Sequence, residues 1–118
     1  MNKDLVLYRN ELKNKIVPKY KLIGIVNEII FSKELFKRNY EIVIFLNVVF
    51  NINYKSYVIK SRTMIAARTS RIIHCAEEQE YVSYKENLLR YINKAIQTLD
   101  NDGEKTVKNL FDGWINKK

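Results

Sequence analysis

Five cations fall in one stretch of the chain, between Tyr54 and Ala76 (YKSYVIKSRTMIAARTSRIIHCA): Lys55, Lys60, Arg62, Arg68 and Arg71. No acid interrupts them. The acid-free run extends over 35 residues, Ile42 to Ala76, and Glu77, Glu78 and Glu80 close it. A surface that only keeps a protein soluble intersperses both signs of charge. A run of one sign suits an anionic polymer, whose phosphates it neutralises. Arginine at 62, 68 and 71 favours bidentate contact with phosphate or carboxylate over simple solvation. The competing reading is a solvated, Lys-rich surface. The chain also has eight tyrosines, and Tyr20, Tyr40, Tyr54 and Tyr57 lie near Lys or Arg. Tyr54 and Tyr57 alternate with Lys55 and Lys60, the local composition with which a protein stacks bases beside phosphate contacts. The blander reading packs these rings at the core edge with their hydroxyls in water.

Other chemistry is poorly provided for. His74 and Cys75 are the sole residues of their kinds. Neighbouring helix positions point about 100° apart, which separates a nucleophile from its base. One His and one Cys are too few for an ordinary zinc site. They read as a helix-flank histidine and a small packed thiol. The three glycines form no phosphate loop, dinucleotide fingerprint or nucleophile elbow. Glu77, Glu78 and Glu80 would hold Mg²⁺ only if brought together with Asp100 or Asp102, and a solvated acidic helix end is the simpler reading. A helix-turn-helix fails its register test. With Ala66 as its alanine, Arg71 falls at an apolar position, and with Ala67, Arg71 falls in the turn. The expectation is a non-enzymatic protein with no catalytic residue, no metal and no cofactor.

These residues must be positioned by a small body. The 118 residues suffice for one core and one domain spanning 1–118. Apolar content of 47% is ordinary for a folded chain, and few glycines and one proline argue against a turn-rich sandwich or barrel. The net charge of +8 is concentrated in residues 1–60, with 11 basic and 5 acidic groups, against 10 and 8 in residues 61–118. Such an excess draws a protein towards nucleic acid, acidic proteins or anionic lipid. A lone cysteine cannot make an intramolecular disulfide. No secretory signal and no apolar run of membrane-spanning length is evident, so a cytoplasmic location without membrane association is expected.

Apolar spacing predicts an all-α bundle of about five or six helices. Leu5, Tyr8, Leu12 and Ile16 form a stripe over residues 3–16, ended by Pro18. Leu22, Ile25, Val26, Ile29 and Ile30 form a second over residues 17–31, where Gly24 suggests close approach of another helix. Ser32 is placed to cap a short helix over residues 33–38. Residues 41–50 (EIVIFLNVVF) have helical spacing at Ile42, Phe45, Leu46, Val49 and Phe50, yet their β-branched residues favour a strand. The alternative is therefore an α+β fold with a short strand pair at 42–50 and 57–59. Ser61 is placed to cap a helix reaching about Glu80, with Ile65, Thr69, Ile72, Ile73 and Ala76 on one face and Arg68, Arg71 and His74 beside or opposite it. Ser83 and Glu86 match a capping box opening the next helix, which Asp100 to Gly103 end. A last stripe holds Val107, Leu110, Phe111, Trp114 and Ile115.

The run ELFKRNYEIVIFLNVVFNINYKSYVIKSRTMIAARTSRII is similar to small helical proteins carried by phages and other mobile elements of low-GC bacteria. The resemblance covers about a third of the chain. It implies a setting in replication, regulation or interference with host defence. Two functions follow. One is a nucleic-acid-associated accessory protein, such as a subunit or regulator of a mobile element's replication complex, with Lys55, Lys60, Arg62, Arg68 and Arg71 on the phosphate backbone. The other is an inhibitor or adaptor, such as an anti-defence factor, bound to a protein that itself binds nucleic acid. Phe111 and Trp114 would anchor that complex, since aromatic residues are frequent hot spots. The oligomeric state is open.

Overall fold

The computed structural model describes residues 2–102. Among these the chain forms six α-helices and no strand: α1 (Asn2–Leu12), α2 (Lys19–Ile30), α3 (Ile42–Phe50), α4 (Ser56–Ile59), α5 (Arg62–Cys75) and α6 (Glu78–Asp102). A single 3-10 turn, Asn39–Glu41, leads into α3. The segment with Phe111 and Trp114 lies outside the described residues.

The core follows the apolar spacing except at Ile16, which lies beyond the end of α1 and is 82% exposed. Leu5, Tyr8 and Leu12 of α1 are buried, as are Leu22, Ile25, Val26, Ile29 and Ile30 of α2. Pro18 opens α2 with its fixed φ of −66°, and its carbonyl accepts from the N–H groups of Lys21 and Leu22 at 3.0 and 3.3 Å. α2 packs on α5, and α6 packs on both α1 and α3.

The β-branched run 42–50 is helical. Its buried residues are Ile42, Phe45, Leu46, Val49 and Phe50, the helical set rather than the alternating set a strand would bury. Burial of five large side chains outweighs the intrinsic strand preference. Asn51 ends α3 in the left-handed region at φ 57°, a conformation asparagine tolerates. Phe45 stands at the centre of an aromatic group, with ring centroids 5.8 Å from Phe36, 6.1 Å from Phe50 and 5.0 Å from Tyr91.

Several local expectations are corrected. Residues 33–38 are not a helix. The Ser32 side chain accepts from the Leu35 N–H at 3.2 Å and its carbonyl from the Phe36 N–H at 3.0 Å, but no helix is built on this turn, and the Phe36 carbonyl accepts from the Arg62 guanidinium. Residues 57–59 are a single helical turn rather than a strand, with the Val58 and Ile59 N–H groups on the Lys55 carbonyl. The helix expected from Ser61 to about Glu80 is two helices. Ala76, extended at ψ 140°, ends α5, and α6 begins at Glu78 with the Glu77 N–H bonded to Glu80 Oε1 at 3.1 Å. The Lys19 ammonium donates to the carbonyls of His74 and Ala76 at 2.9 and 2.6 Å, so a cation from α2 satisfies the open end of α5. Ser83 therefore lies inside α6 and caps nothing. A Cβ at Gly24 would meet no atom within 4 Å, so no helix approaches closely there.

Candidate nucleic-acid interface

α5 is built so that one side enters the core and the other faces water. Ser61 caps it, accepting from the Met64 N–H at 3.2 Å. Ile65, Ala66, Thr69 and Ile73 are buried. Met64, Ala67, Arg68, Arg71 and Cys75 are exposed. Arg68 and Arg71, three residues apart, lie on the same side of the helix, and α5 contains no carboxylate to offset them.

α4 packs beside α5 and adds an aromatic ring to this side. The Arg68 guanidinium carbon lies 5.6 Å from the centre of the Tyr57 ring, a cation–π pair. Tyr57 nonetheless keeps 55% of its surface exposed. Lys55 and Lys60 bracket α4 as its N-cap and C-cap residues, both exposed. Four of the five cations singled out in the sequence thus reach water, on α5 and at the two ends of the adjoining turn.

Arg62 does not. It is only 8% exposed. Its Nη1 donates to the Ile30 carbonyl at 2.9 Å, its Nη2 to the Phe36 carbonyl, and its Nε to Asn39 Oδ1 at 2.9 Å. Burial pushes its pKa down and Glu41 opposes this; arginine remains charged regardless. Arg62 is therefore not a phosphate contact, because it is buried and three of its donors are committed to the fold. The spacing carried the signal, since Arg62 precedes Ile65, Ala66 and Thr69 by three, four and seven residues, which puts it on the buried stripe.

Tyr54 is also a structural group. Its hydroxyl shares a hydrogen bond of 2.8 Å with Thr69 Oγ1, and the Thr69 side chain is fully buried. Burial raises the Tyr54 pKa, while the Thr69 bond and the positive charge of Arg68 act in the opposite sense. The ring is a strut between the 51–55 segment and α5, leaving Tyr57 as the available aromatic of the pair.

The structure adds residues to those the sequence marks out. Between α2 and α3, Phe31, Lys33, Lys37 and Arg38 are exposed, together with Tyr40, already singled out beside its cations. This segment is fixed to α4 by Asn39 Nδ2, which donates to the Ile59 carbonyl at 2.9 Å. The same Asn39 amide accepts from Arg62 through its oxygen. A basic segment tied through a buried arginine to a second basic segment leaves no local trace in the sequence.

His74 is exposed at the end of α5, and Cys75 is exposed beside it rather than packed as its residue type suggested. Glu77, Glu78 and Glu80 are exposed around the start of α6. The backbone positions 80 and 100 are 20 residues apart along α6, about 30 Å of helix at 1.5 Å per residue. Among the described residues no three His, Cys, Asp or Glu gather as metal ligands, and no helix is long and apolar enough to cross a membrane. Compared with family models, curated proteins and solved structures, the chain matches none.

Proposed function

We propose that this protein is a basic, nucleic-acid-associated accessory protein that binds the phosphate backbone and catalyses no reaction of its own. One observation carries the reading: Arg68 and Arg71 stand together on the exposed side of a helix that has no acid, with Tyr57 held against Arg68. Lys55 and Lys60 extend the positive surface around α4. Two guanidinium groups on a rigid helix offer planar, bidentate donors to phosphate oxygens. The excess of cations in the first 60 residues draws a polyanion to the surface before contact. By its resemblance to small proteins of mobile elements, the chain fits a role within or beside a replication complex.

Fluorescence anisotropy with a labelled oligonucleotide tests this. Binding that is measurable at low salt and falls steeply as salt rises is expected, because each neutralised phosphate releases counterions. A parent protein that binds neither single-stranded nor duplex nucleic acid at low salt removes the reading.

A further inference from the structure

We infer that the ligand of this surface is single-stranded nucleic acid, with unpaired bases stacked on Tyr57 and Tyr40. The inference rests on the nucleic-acid reading above and adds which form of the polymer is bound and by which rings.

The chain buries Phe36, Phe45 and Tyr91 almost completely, yet leaves Tyr57 55% and Tyr40 59% exposed. Isolated exposed aromatics are common on protein surfaces. These two are not isolated. The Asn39 side chain holds the Ile59 carbonyl at 2.9 Å. Tyr40 follows Asn39 directly, Tyr57 is two residues before Ile59, and Lys60 follows it. One hydrogen bond therefore ties together the two segments that carry the rings. Arg62 fixes that bond from beneath, donating to the other end of the Asn39 amide at 2.9 Å and to the Ile30 and Phe36 carbonyls. Arg62 is thus a positioning residue for the surface.

Each ring has cations near it in the fold or in the chain. Arg68 lies over Tyr57 at 5.6 Å, Lys60 is on the same side of α4 three residues on, and Lys37 and Arg38 precede Tyr40. Two acids belong to the same region. Glu34 is exposed on the first segment, and Glu41 accepts from the Arg38 backbone N–H at 3.1 Å. They reduce the positive charge without cancelling it.

Rings with cations beside them match single strands better than duplexes. In a duplex the base faces lie against one another and only their edges reach the grooves. A tyrosine at a one-turn helix then has no base to stack on, and only the phosphate contacts of the surrounding cations would remain. In a single strand the faces are free, and every base offers one, so stacking carries little sequence preference.

The test compares a fluorescein-labelled oligothymidylate with a mixed-sequence duplex of equal phosphate number, using the full chain. The parent is expected to bind the single strand more tightly. The Tyr40→Leu/Tyr57→Leu double variant should lose on the order of tenfold or more of single-strand affinity. Its slope of log K against log salt should be unchanged, because no phosphate contact is removed. The Tyr40→Phe/Tyr57→Phe variant should retain parental affinity, since it keeps both rings. Both positions are exposed, so the melting temperature should hold and folding will not confuse the result. Equal affinity for strand and duplex, or parental single-strand affinity in the double Leu variant, overturns the inference while leaving phosphate binding intact. Absence of binding to either probe at low salt overturns the nucleic-acid reading and the inference with it.

Discussion

Arg62 Nη1 meets the Ile30 carbonyl at 2.9 Å across 32 residues of chain. The contact joins the end of α2 to the start of α5. With the bonds to Phe36 and Asn39, it commits one guanidinium to three acceptors, one at the end of α2 and two on the segment that follows it. The most buried cation of the basic stretch therefore shapes the surface without belonging to it.

Replacing Arg62 by Met should destabilise the fold by about 3 kcal/mol, because two backbone carbonyls and an amide oxygen lose a charged donor where water reaches poorly. Arg62→Lys should restore only part of this, since an ammonium lacks the planar fork. Urea denaturation monitored by circular dichroism measures both. Parental stability in Arg62→Met would show that the three bonds are replaced by water.

Tyr54→Phe separates strut from platform. It removes the bond to Thr69 Oγ1 and leaves a buried hydroxyl without that partner. A loss of about 1–2 kcal/mol in stability is expected, with nucleic-acid affinity unchanged. Lost affinity at parental stability would place Tyr54 on the binding surface instead.

The fold should weaken in alkali. Full burial raises the Tyr91 pKa well above its ordinary 10.0, and burial also raises that of Tyr8, aided by Glu28. Above pH 10 the unfolded tyrosines release protons that the folded ones keep. Stability therefore falls as pH rises beyond 10, and is unaffected by these groups below it. Tyr91→Phe should hold its melting temperature to higher pH than the parent does. Identical alkaline profiles for the two proteins would assign the effect to other tyrosines.

The helices were legible wherever the apolar period was long. Both α2 and α3 bury the residues their spacing marks out. Shorter features were not. The 57–59 turn has β-branched residues and is kept helical by bonds to Lys55 and by Asn39 from another segment. The break at Ala76 contains neither glycine nor proline. It depends on Lys19, 57 residues away in the chain, reaching the Ala76 carbonyl. Among the candidate site residues, Arg68, Arg71, Lys55 and Lys60 are exposed as read. The spacing of Arg62 puts it on the buried stripe, against what its charge suggests. The cations of the 31–40 segment join the surface only through tertiary bonds that bring it beside α4.

If the exposed side of α5 binds the phosphate backbone, the salt dependence of oligonucleotide binding must differ between the parent and Arg68→Gln/Arg71→Gln. Both side chains are exposed, so the variant should fold and melt like the parent, apart from the loss of a weak cation–π contact with Tyr57. If each arginine neutralises one phosphate, single-strand affinity falls and the slope of log K against log salt shrinks by about 1.4, near 0.7 for each contact. A variant that binds with the parent's affinity and the parent's slope would contradict the account.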